Sequence, residues 1–164
     1  MLKRRQLIPP LTLADAHGGA IRAWDFKQSK NLVIAFLDAR CAGCKRFIDE
    51  LIKQAAELAD QEAVVLLAFP QEPSVSFTAS LRPGFIAGLD VGGHGAQAFL
   101  GDDALPTPEG RRCAIFVTDR YGELSTQWAV RRHQFPVIGE ILRALDSVEI
   151  ACEECSVPDW PIDE

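Results

Sequence analysis

The chain has 164 residues, 48% of them hydrophobic and 24% charged, with a net charge of −6. That size and balance suit one folded unit with a sizeable core, and the negative charge argues against nucleic-acid binding; Lys3-Arg4-Arg5 is too short a cluster to reverse it and reads as a solvated terminus. No apolar run reaches transmembrane length, and none near the start is long enough for a secretory signal. The expectation is a cytoplasmic protein with no membrane partner. There, five cysteines serve redox chemistry, metal binding or packing rather than a structural disulfide framework.

In chain order, residues 11–26 read as a hairpin: Leu11 and Leu13 alternate with polar residues, His17-Gly18-Gly19 turns, and Ile21 to Trp24 alternates again. Residues 32–37, apolar throughout, form a buried interior strand. A helix over 44–59 places Phe47, Ile48, Leu51, Ile52, Ala55 and Leu58 on one stripe. Residues 63–69 are a second buried strand, ended by Pro70 and a Pro/Ser-rich loop. Residues 82–90 are short and extended, 92–100 a helix weakened by glycines, and 102–110 a loop with Pro106 and Pro108. Strands over 114–118 and 124–130 are joined at Asp119-Arg120-Tyr121-Gly122. A last helix starts after Pro136 and turns Ile138, Ile141, Leu142, Leu145 and Val148 inward.

The chemistry concentrates at Cys41-Ala42-Gly43-Cys44, between the first buried strand and the first long helix. A helix N-terminus offers unpaired N–H groups and the positive end of the macrodipole, both of which favour thiolate. Arg40, Lys45 and Arg46 add positive charge. At this spacing Cys44 can reach back to Cys41 and close a disulfide. The same pair could instead be half of a zinc site, or two small buried apolar residues.

A Cys-x-x-Cys at the top of the first core strand, in a strand and helix order that starts with a β-α-β unit and ends with a hairpin and a helix, resembles the thioredoxin fold. The N-terminal hairpin, the insert between Pro70 and Leu100, and the strand–Asp-x-x-Gly–strand segment from Ile115 to Leu124 resemble the redoxin branch more specifically. That branch includes the alkyl hydroperoxide reductase/thiol-specific antioxidant proteins and the TlpA-like oxidoreductases. The resemblance implies an α/β, thioredoxin-like domain over residues 1–150, with a central mixed sheet, helices on both faces and an N-terminal β-hairpin. Residues 151–164 form a C-terminal tail.

Departures from the family patterns bear on activity. The peroxidatic Pro-x-x-x-Thr/Ser-x-x-Cys pattern has no counterpart: Asp38 stands at the hydroxyl position for Cys41, and an acid beside a thiolate raises its pKa. Thioredoxins carry a buried acid where this chain has Ala35, Trp where it has Arg40, and Pro where it has Gly43. The cis-proline that faces the Cys-x-x-Cys in many thioredoxin folds falls at Cys113; a register one residue different puts Arg112 there, and peroxiredoxins keep an arginine in this region to steady the thiolate. Cys113 alternates with Ile115 and Val117, so it is either a buried residue of a sheet face or a third thiol or metal ligand at the site.

Cys152-Glu153-Glu154-Cys155 is a second Cys-x-x-Cys, similar to the tail of some redoxin-like proteins. Cys152 is in phase with Leu145 and Val148, so burial on the helix stripe is its plain explanation. A four-thiolate zinc site shared with Cys41 and Cys44 needs a second subunit or a bent-back tail, because the last helix carries Cys152 about 25 Å away. His17 and His94 read as solvated, and His133 as a proton-transfer candidate or a surface residue.

The resemblance thus implies a thiol–disulfide oxidoreductase or peroxiredoxin-like antioxidant. Cys41 is the attacking thiolate, Cys44 the resolving thiol, Arg40, Cys113 and Arg112 the supporting residues, and Cys152 and Cys155 secondary candidates. It needs no organic cofactor and no metal. Its partners are a protein or small-molecule disulfide or a peroxide, and a thiol reductant, with a homodimer as an open option. The other class of reading is a redox-silent or metal-binding module that uses the fold as an interaction surface.

Overall fold

A computed structural model describes residues 1–104, 113–131 and 134–149. Its framework is a seven-stranded sheet in the order β2-β1-β5-β4-β3-β6-β7. The strands are β1 (Thr12–Ala14), β2 (Ala20–Arg22), β3 (Asn31–Phe36), β4 (Ala63–Phe69), β5 (Phe85–Leu89), β6 (Cys113–Thr118) and β7 (Leu124–Val130). β3 runs parallel to β4, and β4 to β5, while β6 and β7 join antiparallel. The mixed sheet and the N-terminal hairpin are as the resemblance implies.

Every residue of β3, β4 and β6 is buried, which is what apolar runs without alternation require of strands covered on both faces. Strand periodicity then divides the core in two. Val33, Ala35 and Leu37 face one layer with Cys44, Phe47, Ile48 and Leu51 of helix α1 (Ala42–Lys53), and with Ile141 and Leu145 of helix α5 (Ile138–Glu149). Leu32, Ile34 and Phe36 face the other, with Phe99 and Leu100 of helix α4 (His94–Leu100) and the N-terminal residues Ile8, Leu11 and Leu13.

The hairpin β1–β2 pairs Leu13 with Ile21, and Asp15 tightens its turn by accepting the His17 and Gly19 N–H groups, each at 2.7 Å. β1 also lies against β5, where Ala14 pairs with Leu89. Gly88 permits that approach, since a Cβ there would stand 2.7 Å from the Leu13 Cβ.

Four local features depart from the sequence expectations. The hairpin does not extend to Phe26: residues Ala23–Phe26 form a 3-10 turn. The long helix starts at Ala42 rather than Cys44 and breaks at Gln54 (φ −100°, ψ 22°) into α1 and α2 (Ala55–Asp60). The loop after Pro70 contains helix α3 (Val75–Ser80), capped by the Ser74 hydroxyl accepting the Phe77 N–H at 3.2 Å. Residues Gly101–Ala104, at the start of the expected loop, form a 3-10 turn; the rest of that loop, residues 105–112, lies outside the described residues.

Candidate active site

The site is built where β3 ends. Leu37 N–H still bonds to Ala68 O at 3.0 Å, which holds the chain in register one residue past the strand. The chain then turns sharply, with Cys41 N–H on Asp38 O at 3.0 Å, and enters α1. Cys41 is the N-cap, in extended backbone (φ −86°, ψ 114°), and its Sγ accepts the Cys44 N–H at 3.2 Å. A sulfur thus takes the place usually held by a Ser, Thr or Asp oxygen, and satisfies one of the orphan donors of the first helical turn.

The two cysteines of the motif differ in environment. Cys41 is half-buried, whereas Cys44 is 1% exposed and Cys113 7%. The Cys41 thiol is hydrogen-bonded to the Cys44 sulfur, which on its other side lies 3.3 Å from Cys113, sulfur to sulfur. β3 and β6 bring this about: they pair antiparallel, Phe36 with Ala114, so β6 starts where β3 finishes. The alternation of Cys113 with Ile115 and Val117 turns it to the same face as α1. Cys113 is thus a buried residue of the sheet face, and its sulfur lies beside that of Cys44.

The electrostatics differ from what the charges in the sequence suggest. Arg40 does not simply add its charge to Cys41: its Nε lies 3.7 Å from the Asp38 carboxylate, whose Oδ1 also accepts the Arg40 backbone N–H at 2.9 Å. Asp38 and Arg40 therefore largely offset each other. Burial, followed by the hydrogen bond to the Cys44 thiol, pushes the Cys41 thiol above its ordinary value; the N–H groups of Cys44 and Gly43 pull it back only in part. The Cys44 thiol is pushed up strongly, first by the hydrogen bond with Cys113 and then by burial. The expected lowering at Cys41 is outweighed by its partial withdrawal from water.

One neighbour of the site escapes the reading of the sequence. Phe135 stacks on Phe47 of α1 with ring centroids 4.7 Å apart and an interplanar angle of 21°. It ties the segment after β7 to the helix that carries the cysteines; an aromatic residue just before Pro136 was the available signal. His17 and His94 are exposed, as expected. Arg112, His133, Cys152, Cys155 and the tail 151–164 lie outside the described residues. Among the described residues no group of three His, Cys, Asp or Glu side chains is arranged to hold a metal ion, and no helix is long and apolar enough to cross a membrane.

No family model and no curated protein matches the chain. Solved structures match it over nearly its whole length. Peroxidoxin BcpB from Mycobacterium tuberculosis superposes with a TM-score of 0.74 at 17% identity, covering 93% of this chain and 100% of that one. AhpC from the same organism gives 0.70 at 18%, covering 95% and 97%. A Chlorobium tepidum protein assigned as thiol:disulfide interchange protein DsbE gives 0.66 at 17%, covering 88% and 99%. The chain has the thioredoxin-like fold, and its structural neighbours include proteins of both the peroxiredoxin and the thiol:disulfide interchange types.

Proposed function

We propose that the chain is a thiol–disulfide oxidoreductase that works through Cys41 and Cys44. The observation that carries this reading is the Cys41 sulfur at the N-cap of α1, half-open to solvent and receiving the Cys44 N–H at 3.2 Å. A negative sulfur at that atom gains from the N–H and from the helix terminus, so it is the better placed of the two to attack.

In the cycle, Cys41 thiolate attacks one sulfur of a substrate disulfide and expels the other as a thiolate, which takes up a proton. Cys44 then loses its proton and attacks the Cys41 sulfur of the mixed disulfide. This releases the second substrate thiol and leaves the Cys41–Cys44 disulfide. Two electrons have passed from the dithiol to the substrate, and an external thiol reductant returns them. A peroxide would be the alternative oxidant, entering at the same sulfur. No organic cofactor takes part, and a thiol reductant fits a reducing compartment such as the cytoplasm.

Replacing Cys44 with serine tests the assignment. On adding hydroxyethyl disulfide, Cys44→Ser should hold a stable mercaptoethanol adduct on Cys41, whereas the unmodified chain should pass through that adduct to an internal disulfide. An adduct on another cysteine would reverse the roles. No adduct and no internal disulfide would favour a redox-silent module.

A further inference from the structure

We propose that Cys113 is a second, buried disulfide partner for Cys44, so that the oxidised site interconverts between a Cys41–Cys44 and a Cys44–Cys113 disulfide. This rests on the redox reading of the Cys41–Cys44 pair and extends it to a three-thiol relay.

The geometry carries the argument. The Cys44 and Cys113 sulfurs are 3.3 Å apart. A disulfide brings sulfurs to about 2.0 Å, so rotation of two short side chains through roughly an ångström closes the bond. The backbones at either end are well fixed. Cys113 is the first residue of β6, its Cα paired with Val130 of β7, and Cys44 lies in the first turn of α1. Both sulfurs sit in the same core layer with Leu37, Phe47 and Ile48, screened from outside thiols.

Interconversion needs no external oxidant. The Cys113 thiolate attacks the Cys44 sulfur of the Cys41–Cys44 disulfide. The Cys44–Cys113 bond forms, the Cys41–Cys44 bond breaks, and the proton lost by Cys113 ends on the Cys41 sulfur. The leaving group is the better of the two: Cys41 is more exposed than Cys44 and keeps a backbone N–H on its sulfur. The chain remains oxidised by two electrons, yet Cys41 again stands as a thiol at the start of α1. A mixed disulfide formed there in that state cannot be resolved by Cys44, so the substrate's own thiol must displace it. The relay would thereby let the oxidised chain, which a thiol reductant otherwise returns to the dithiol, catalyse the rearrangement of disulfides.

Tryptic mapping distinguishes the two bonds. Cleavage after Arg40, Lys45, Arg112 and Arg120 puts Cys41 and Cys44 on one peptide, residues 41–45, and Cys113 on another, residues 113–120. The Cys41–Cys44 disulfide is then internal to one peptide, and the Cys44–Cys113 disulfide links the two. The full-length chain, Cys41→Ser and Cys113→Ala are oxidised with hydroxyethyl disulfide, quenched in acid, alkylated and mapped. The expected result is both species in the unmodified chain, neither in Cys41→Ser, where the reagent cannot reach the buried pair, and only the internal disulfide in Cys113→Ala. If the unmodified chain yields no linked peptide while Cys113→Ala forms its internal disulfide, the relay is overturned and the Cys41–Cys44 reading stands. If Cys113→Ala also forms no internal disulfide, the redox reading fails and the relay with it. The unmodified chain gives its own answer should either variant fail to fold.

Discussion

The backbone N–H of Cys44 donates to the Cys41 sulfur at 3.2 Å, so the residue that would resolve a mixed disulfide also steadies the sulfur that would form it. One helical turn performs both tasks. The same turn withdraws the sulfurs from water, and its consequences for reactivity can be measured.

Cys41 should be alkylated before Cys44 and Cys113 by limiting iodoacetamide. Exposure decides the order, because Cys44 and Cys113 are buried and Cys41 is not. With its pKa raised by burial, Cys41 is mostly thiol at neutral pH, and its alkylation rate should climb beyond pH ~8.5 instead of levelling near 7. A plateau below pH 7 would show that the helix terminus outweighs burial.

Hydrogen peroxide should oxidise the reduced chain more slowly than hydroxyethyl disulfide does. Asp38 stands where a peroxidatic site has a hydroxyl, and it engages Arg40 rather than leaving that guanidinium to a bound peroxide. Stopped-flow measurement of both reactions on one preparation checks this. Faster loss of thiols to equimolar peroxide would contradict it.

The folding stability of the reduced chain should fall with alkaline pH. Folded Cys44 keeps its proton where the unfolded thiol has lost it, so the native state binds more protons and stability declines as pH rises past the unfolded value of ~8.5. One such group accounts for a slope of at most about 1.4 kcal/mol per pH unit. Urea midpoints in reductant from about pH 7.5 to about pH 9.5 should drop, and drop less in Cys44→Ala. Equal slopes would mean that the thiol is not held protonated by the fold.

Asp90 should matter to stability and not to exchange. It is 4% exposed, and its two carboxylate oxygens accept the Gly95 and Ala96 N–H groups at 2.7 and 2.8 Å, fixing the start of α4 on the core face opposite the cysteines. Asp90→Ala leaves those donors without their carboxylate and should cost about 1–3 kcal/mol by urea denaturation. Its exchange rate with hydroxyethyl disulfide should be unchanged while it is folded.

The central strands are legible in the sequence because β3, β4 and β6 are buried on both faces and so carry unbroken apolar runs. The inward face of α1 is legible because Phe47, Ile48 and Leu51 recur at helical spacing. Cys113 can be placed on the correct sheet face by alternation alone, but the 3.3 Å contact with Cys44 depends on where β6 begins relative to the end of β3, which is a tertiary matter. Helix α3 escapes notice because its six residues have a single half-buried apolar side chain, Phe77, set edge-on against Phe69 at 5.8 Å. The start of α1 is shifted because a cysteine serves as its cap, a role seldom assigned to sulfur. The charge on Arg40 misleads for a local reason. The carboxylate two residues before it stands 3.7 Å from its Nε and partners the guanidinium.

An equilibrium redox titration tests the central claim most directly. The full-length chain is poised in dithiothreitol buffers of graded potential, quenched in acid, alkylated, and the peptide of residues 41–45 weighed. The account predicts a reversible two-electron transition in that peptide, abolished in Cys41→Ser and reached equally from the oxidised and reduced sides. A peptide that keeps both thiols at every potential, in a chain shown to be folded, would contradict it.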